Sequence, residues 1–228
     1  MADNGIQTLK PVDRETLKSK VYRVLREAIQ KGALKPDQRL VEEEISHQLG
    51  VSRVPVREAI AFLEQDGLVV REHGRGVRVA NPSEKDIEDI YGLRIALELH
   101  ALVTSFEKIT DEDLQFLQEL VNKMSECVED DDIFGLTEID LSFHEALCRM
   151  TGNQRLLDAW KSQIVQLRML LALSGSAGYD VRNIVQGHQQ IVVALREGDI
   201  SAAQKILKDH VYRSRDRLLK QHNSESSH

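Results

Sequence analysis

Residues 41–80 read VEEEISHQLGVSRVPVREAIAFLEQDGLVVREHGRGVRVA, and this stretch decides the fold of the N-terminal part. Apolar residues recur at helical spacing through residues 41–49, and Gly50 follows them where a left-handed glycine commonly ends a helix. Ser52 then stands at a capping position before a second apolar stripe, whose members are Val56, Ile60 and Leu63. The pattern predicts two helices joined by a tight turn.

Two arginines lie near the start of the second predicted helix. Arg53 and Arg57 are four residues apart, on a face that does not carry the apolar stripe. In a helix-turn-helix this part of the second helix enters the major groove, where arginine can fork onto guanine or hold a phosphate. The spacing therefore indicates a DNA-reading surface.

A short hairpin is predicted directly after these helices. The β-prone runs 68–70 and 77–79 flank a basic segment with two glycines, REHGRG, which has Arg75 near its tip. A basic tip of this kind is typical of a wing that lies against DNA. An ordinary three-helix cluster explains residues 41–67 alone, but it explains neither the hairpin nor the placement of the arginines.

These residues together resemble the winged helix-turn-helix of GntR-family bacterial transcription regulators. The resemblance covers roughly residues 12–80 and is carried by GVSRVPVREAI at 50–60, followed by Leu63, Gly67-Leu68-Val69 and Gly74-Arg75-Gly76. It implies that the DNA contacts come from Ser52, Arg53, Arg57, His73 and Gly74. One position departs from the pattern, because Glu43 stands where relatives that contact phosphate often carry a basic residue.

Length and charge favour a chain of two parts. The 228 residues suffice for two domains, and the net charge of −7 is unevenly spread. Residues 1–80 hold 14 Lys and Arg against 12 Asp and Glu, whereas residues 81–228 hold 16 against 25. A slightly basic head on an acidic body suits local contact with DNA rather than a general coating of nucleic acid.

The location of the protein follows from what the sequence lacks. The sequence has no apolar run long enough to predict a membrane span, and the N-terminus lacks the apolar core that is typical of a signal peptide. The two cysteines, Cys127 and Cys148, are therefore expected to be reduced. A cytoplasmic protein without a membrane partner is expected.

The pattern after Pro82 is helical throughout. We predict a flexible arm at 1–11, a winged helix-turn-helix at 12–80, a linker at 81–83, a helical domain at 84–220 and a polar tail at 221–228. Six helices are predicted near 84–107, 111–129, 132–150, 154–173, 181–197 and 200–220. The fold class is mainly α, with an N-terminal winged helix-turn-helix and a C-terminal all-α antiparallel helix bundle.

Polar residues interrupt the apolar stripes of three of these helices. Asp140 and His144 lie four apart in one stripe, while His188 and His210 each interrupt another. Buried carboxylate and imidazole groups are costly without partners, and one metal ion satisfies all four. This ligand set suits zinc, nickel, cobalt, iron or manganese. The alternatives are ordinary hydrogen-bonded core histidines and a simple Asp140–His144 pair.

The four residues also resemble the metal site of the FCD-type ligand domain found behind many GntR-family heads. This resemblance covers residues 83–220 and rests on the Asp140-x-x-x-His144 motif, His188 and His210. It implies one divalent transition-metal ion per chain, with zinc or nickel favoured. Six helices rather than seven resemble the VanR-like branch of these domains.

Two arginines also interrupt apolar stripes. Arg94 is expected either to form an internal ion pair with Glu98 or to present a fork to a ligand carboxylate. The family resemblance implies the second role, in an effector pocket beside the metal. Arg168 is expected to be a structural or interface residue.

These observations predict a ligand-responsive repressor. A homodimer is expected to bind a near-palindromic double-stranded DNA operator. A small organic acid bound at the metal site is expected to modulate DNA affinity through the first bundle helix, which follows the wing after Pro82. The rival hypotheses are a metal-dependent hydrolase or dioxygenase and a bundle that the metal merely staples. Against an enzyme, the sequence offers no obvious general base beside the metal motif and no phosphate loop or nucleophile motif.

Overall fold

The computed structural model describes residues 16–72, 74, 76–173 and 181–225, of which 221 and 223–225 are described by their backbone alone. These residues form nine α-helices, one short 3-10 helix and three β-strands. The mainly α class and the two-part architecture predicted above are confirmed.

Three helices and a small sheet form the head. Its elements are α1 (Leu17–Gln30), β1 (Arg39–Leu40), α2 (Glu42–Leu49), α3 (Arg53–Gln65), β2 (Val69–Glu72) and β3 (Gly76–Val79). The sheet is antiparallel, with β3 between β1 and β2. Strand β1 is not predicted from the sequence, because two residues are too few to show an alternating pattern.

The turn between α2 and α3 follows its predicted chemistry. Gly50 ends α2 with φ 63° and ψ 34°, in the left-handed region that glycine adopts without strain. Ser52 is the N-cap of α3, although its side chain makes no capping hydrogen bond. Val56, Ile60 and Leu63 have no exposed surface, so the predicted apolar face of α3 is confirmed.

Six helices form the body. They are α4 (Glu84–Ser105), α5 (Asp111–Glu129), α6 (Ile133–Arg149), α7 (Gln154–Leu173), α8 (Val181–Arg196) and α9 (Ile200–Glu225), with a 3-10 turn at Phe106–Lys108 after α4. Capping boxes at Ser83 and Thr110 begin α4 and α5. Helix α4 packs against α6, α7 and α9, and α5 packs against α6 and α8. None of the helices in the described ranges is long and apolar enough to cross a membrane.

The last helix is longer than the sequence analysis expects. Helix α9 continues to Glu225, whereas the predicted helix ends near residue 220 and a polar tail is expected at 221–228. No glycine or proline occurs between Ile200 and Glu225, so nothing in the sequence stops the helix at the end of its apolar stripe.

Helix α7 joins the body to the head. Met169 is 1% exposed and belongs to the hydrophobic cluster of the head, and Val165 packs against the same cluster. The amide of Gln166 lies beside Gly67, at the turn before the wing. The core of the head is therefore completed by residues that lie about 100 positions further along the chain.

Candidate metal centre and nucleic-acid interface

Four potential metal ligands converge in the body. Asp140 and His144 lie on α6, His188 on α8 and His210 on α9, and one ligand atom from each lies within 4.8 Å of all the others. The three histidines are at least nine-tenths buried, and the side chain of Asp140 is 14% exposed. The structure thus brings together all four residues that the sequence analysis selected.

The hydrogen bonds of two histidines orient their rings. Nδ1 of His144 lies 2.7 Å from Oε2 of Glu98, and Nδ1 of His188 lies 2.8 Å from the carbonyl oxygen of Ile184. Carbonyl and carboxylate oxygens only accept hydrogen bonds, so both Nδ1 atoms carry the proton and donate. In neutral rings of this tautomer, each Nε2 has a free lone pair directed at the cluster.

The two free lone pairs could bind a cation. Nε2 of His144 and Nε2 of His188 are 3.3 Å apart, yet neither has a proton to give the other. Burial, reinforced by Arg94, lowers the pKa of His144, which keeps that ring neutral near pH 7. A metal ion bound by both Nε2 atoms would remove this conflict.

The remaining distances also fit a metal ion. Oδ1 of Asp140 lies 3.3 Å from Nε2 of His188, 3.7 Å from that of His210 and 3.9 Å from that of His144. Ligand atoms about 2.0–2.2 Å from one metal ion lie roughly 3.0–3.5 Å from their neighbours, so these three distances are close to that range. The donor set therefore fits a transition-metal ion.

Charge and burial also lower the pKa of the other two ligands with a clear shift, His210 and Asp140. Burial, together with His188, lowers the pKa of His210 to about 3. Burial raises the pKa of Asp140, but the neighbouring His188 and His210 outweigh it and hold that pKa well below its usual value. Deprotonated donors of this kind are what metal binding requires.

Glu98 on α4 supports the site from outside the ligand set. Its Oε1 accepts from Nε of Arg94 at 2.8 Å and from the indole N–H of Trp160 at 3.0 Å, while its Oε2 accepts from His144. Burial alone raises the pKa of Glu98, but His144 and Arg94 more than offset this effect and lower the pKa to about 2. From the sequence, Glu98 is expected only as a partner of Arg94, and its contacts with His144 and Trp160 are not predicted.

Arg94 retains one unused donor. Its Nε pairs with Glu98, which is the internal ion pair considered in the sequence analysis. Its buried Nη2, however, has no hydrogen-bond partner among the described residues, and Oδ2 of Asp140 is 3.9 Å away. A buried donor without a partner costs about 1–3 kcal/mol, so a ligand acceptor here would be stabilising.

A cavity of about 220 Å³ adjoins the cluster. Arg94, Asp140 and His210 contribute to its wall, together with neutral residues of α6, α7 and α8. The outer wall is formed by α9 through Arg213, Ser214 and Arg217, which the sequence analysis missed. Drug-sized ligands occupy roughly 300–1,000 Å³, so this cavity suits a smaller metabolite.

Arg168, the other arginine that interrupts a stripe, forms a bidentate ion pair with Glu138. Its Nε lies 2.8 Å from Oε1 and its Nη2 lies 2.7 Å from Oε2. The pair ties α7 to α6, which agrees with the structural role expected from the sequence.

The start of α3 presents polar groups to solvent. Ser52, Arg53 and Arg57 are all exposed. The guanidinium of Arg53 lies 3.9 Å from both Glu42 and Glu43, and exposed pairs at this distance contribute little to stability. Among the described residues, Arg57 forms no ion pair within 4.0 Å, so both arginines are available to another partner.

The wing is described only in part. Strands β2 and β3 pair from Val69 opposite Val79 to Glu72 opposite Gly76. Gly74 lies in the turn between them with φ 78° and has open space around it. His73 and Arg75, two residues predicted to contact DNA, lie outside the described residues.

Two family models match the chain. Residues 17–79 match the model described as "Bacterial regulatory proteins, gntR family", and residues 89–213 match the "FCD domain" model.

Curated relatives agree with these matches. The chain is 30% identical to a protein of Paenarthrobacter nicotinovorans described as a "Probable D-xylose utilization operon transcriptional repressor", over 90% of this chain and 89% of that protein. It is 26% identical to the HTH-type transcriptional regulator McbR of Escherichia coli, over 84% of this chain and 88% of McbR.

Solved structures share the fold. A GntR transcription regulator from Rhodococcus sp. RHA1 superposes with a TM-score of 0.77 at 28% identity, covering 89% of this chain and 97% of that one. The structure of Escherichia coli McbR gives a TM-score of 0.75 at 24% identity, covering 90% of this chain and 98% of McbR. At that level of identity, the second likeness concerns the fold alone.

Proposed function

The chain belongs to the GntR family of bacterial transcription regulators and carries an FCD domain, and from this premise we propose that it is a ligand-responsive repressor. Its curated relatives are transcription regulators rather than enzymes, so the enzyme hypothesis is set aside. In the proposed function, a homodimer binds a near-palindromic operator through α3 and the wing. A small carboxylate metabolite, bound beside a divalent metal ion, modulates the affinity for DNA.

One observation carries the ligand-binding part of the proposal. Arg94, whose buried Nη2 has no partner among the described residues, lines the same small cavity as two of the four potential metal ligands, Asp140 and His210. Asp140, His144, His188 and His210 would hold the ion, which when bound supplies positive charge and open coordination positions. Arg94 adds a planar donor that suits a carboxylate.

Two helices connect the cavity to the head. Helix α4 carries Arg94 and begins shortly after the wing, at Glu84. Helix α7 carries Trp160, which donates to Glu98, and further along it Met169, which completes the core of the head. A ligand that contacts Arg94 can therefore bias the position of the head through either helix, provided that it binds the two arrangements with different affinity.

Binding to DNA tests the role of the head. Arg57→Ala should weaken binding to an operator from the protein's own upstream region by about tenfold or more, because one bidentate base contact contributes roughly 1–3 kcal/mol. Arg155→Ala, an exposed arginine at the start of α7, is the matched control. Fluorescence anisotropy with both variants measures the effect, and undiminished affinity of a folded Arg57→Ala variant would contradict the assignment.

Metal content tests the site. Protein purified without a histidine tag should contain one transition-metal ion per chain by elemental analysis. His188→Ala should lower both the occupancy and the melting temperature, because a metal bound only by the native state stabilises it. Substoichiometric metal in wild-type protein after reloading would favour ordinary core histidines instead.

The ligand part is tested through Arg94. An acid effector should change the DNA affinity of metal-loaded wild-type protein and should bind Arg94→Gln more weakly. Arg94→Lys keeps the positive charge beside Glu98 but loses the planar guanidinium group. This variant is the control for a loss of stability that an unpaired Glu98 would cause in Arg94→Gln. Calorimetry supplies the affinities. A neutral effector, or undiminished affinity in both folded variants, would rule out the proposed carboxylate contact.

A further inference from the structure

The first turn of α3 carries an apolar side chain that the head leaves half exposed. Val54 is 51% exposed, which is more than any other large apolar side chain described in the head. Phe62, an exposed aromatic residue of the same helix, already packs edge-on against the ring of Tyr22 and lies under the ammonium group of Lys18. Val54 therefore stands out as the apolar surface of α3 that is open to another molecule.

Helical geometry directs Val54 away from the core of the head. The apolar stripe that faces this core consists of Val56, Ala59, Ile60 and Leu63. At 3.6 residues per turn, the opposite side of α3 carries Val54, Ala61 and Gln65, all of which are exposed. The first turn of a recognition helix is the part that reaches the base edges, so Val54 faces the bases when α3 lies in the major groove.

The neighbours of Val54 restrict what it can contact there. Arg53 precedes it and Arg57 follows one turn later, and both are exposed. Residues three apart on a helix have Cβ atoms roughly 5–6 Å apart, so Arg57 and Val54 reach the same or adjacent base pairs. Val54 has neither charge nor a hydrogen-bonding side chain to offer a phosphate, and Glu58 on its other side is exposed and acidic. Its partner is therefore an apolar group of the groove.

The major groove presents one such group on its base edges, the 5-methyl group of thymine. We propose that Val54 contacts this methyl group in each operator half-site and selects a T·A pair at or beside the base pair that Arg57 reads. The inference rests on the proposed function, in which α3 enters the major groove. It adds a specificity-determining residue to the arginines, which recognise acceptor atoms rather than a methyl group.

Operator duplexes with single thymines replaced by deoxyuridine test this contact. Each replacement removes one methyl group and leaves the hydrogen bonds of the base pair unchanged. We expect one thymine per half-site at which the wild-type full chain loses about fourfold in affinity, the usual effect of one buried methyl group. Replacement in both half-sites should reduce the affinity by about fifteenfold. Fluorescence anisotropy measures these affinities.

Val54→Ala assigns the sensitive methyl group to this residue. The variant should bind the unmodified operator more weakly than wild type and lose most of its sensitivity to the replaced thymine. Alanine favours a helix more than valine does, so weaker binding would not reflect a less stable α3. Val24→Ala, on α1, removes the same two methyl groups from another exposed valine and should keep the wild-type sensitivity.

Salt dependence provides a second readout. An apolar contact releases no counterions, so Val54→Ala should retain the wild-type dependence of affinity on salt concentration. A changed dependence would show that the substitution shifts the head on the duplex, which contradicts a local contact with one methyl group. Circular dichroism verifies that each variant is folded.

The outcomes separate this inference from the proposed function. If no single thymine is sensitive, or if Val54→Ala remains as sensitive as wild type, the methyl contact is overturned while operator binding through α3 stands. If wild-type protein does not distinguish the operator from an unrelated duplex of equal length, the proposed repressor function is contradicted, and the present inference falls with it.

Discussion

Single residues outside the ligand set shape the proposed metal site. Glu98 and the carbonyl group of Ile184 fix the tautomers of His144 and His188. Gly187 leaves room for the ring of His210, because a Cβ built at Gly187 would lie 3.0 Å from Nδ1 of that ring. Such neighbours commonly change metal affinity by about 10–100-fold without touching the ion.

Gly187→Ala tests this at one position. The added methyl should displace His210 by a few tenths of an ångström and weaken metal binding by about tenfold. The same change favours the helix by roughly 1 kcal/mol, so a lower metal affinity would not reflect a weaker helix. A metal titration monitored by calorimetry measures the affinity.

Gly92→Ala is the control for this substitution. Gly92 lies within α4, and a Cβ there meets no atom within 4 Å. It should gain helix stability without a change in metal affinity. Should Gly187→Ala bind metal as tightly as wild type, the close approach of His210 is not needed for the site.

The sequence indicates the candidate ligands but not the residues that support them. Asp140, His144, His188 and His210 stand out because each places a polar group in an apolar stripe. The hydrogen bond from His144 to Glu98 joins residues 46 positions apart, and helical spacing carries no information about such a contact. Arg213 and Arg217 are not predicted as cavity residues, because a polar helix face that lines a cavity has the same sequence pattern as a face in contact with solvent.

At the scale of elements, α7 differs from its neighbours by belonging to two cores. Leu157 and Trp160, near its start, lie in the hydrophobic core of the body, whereas Met169 lies in that of the head. The stripe along α7 reads as one continuous apolar face, so the sequence predicts the helix without indicating which core each residue joins.

Met169→Ala should separate the two parts functionally. Truncation of a buried methionine costs about 2–5 kcal/mol, which here loosens the packing of α7 on the head. We expect a lower melting temperature and a DNA affinity that responds less to metal and effector. Anisotropy with and without chelator measures the response.

Leu157→Ala provides the comparison on the same helix. Leu157 is 5% exposed and packs in the body alone, so its truncation should lower stability but preserve the response of DNA affinity. An equal loss of response in both variants would mean that α7 does not transmit the effect through Met169.

At the scale of the whole molecule, the proposed dimer sets the geometry of its operator. Helix-turn-helix dimers place their half-sites about one helical turn apart, and each recognition helix needs its own major groove. Inserting about five base pairs between the half-sites turns one groove to the opposite face of the duplex. Binding should then fall by at least about tenfold, since one head loses its site.

Light scattering and titration of the duplex complete this test. We expect two chains per operator duplex. A stoichiometry of one chain per duplex, or a DNA affinity that is unchanged by the inserted base pairs, would contradict a dimer that binds two half-sites.

The place of Met169 in the core of the head also limits how such regulators can exchange their parts. A chimaera that grafts this head onto a different effector domain, cut in the segment before Glu84, leaves behind Val165 and Met169. The transplanted head would then expose apolar surface that its former partner covered. Domain shuffling between relatives should therefore succeed only where the recipient's equivalent helix offers side chains of matching size, so recombination in this lineage is constrained by a contact far from the junction.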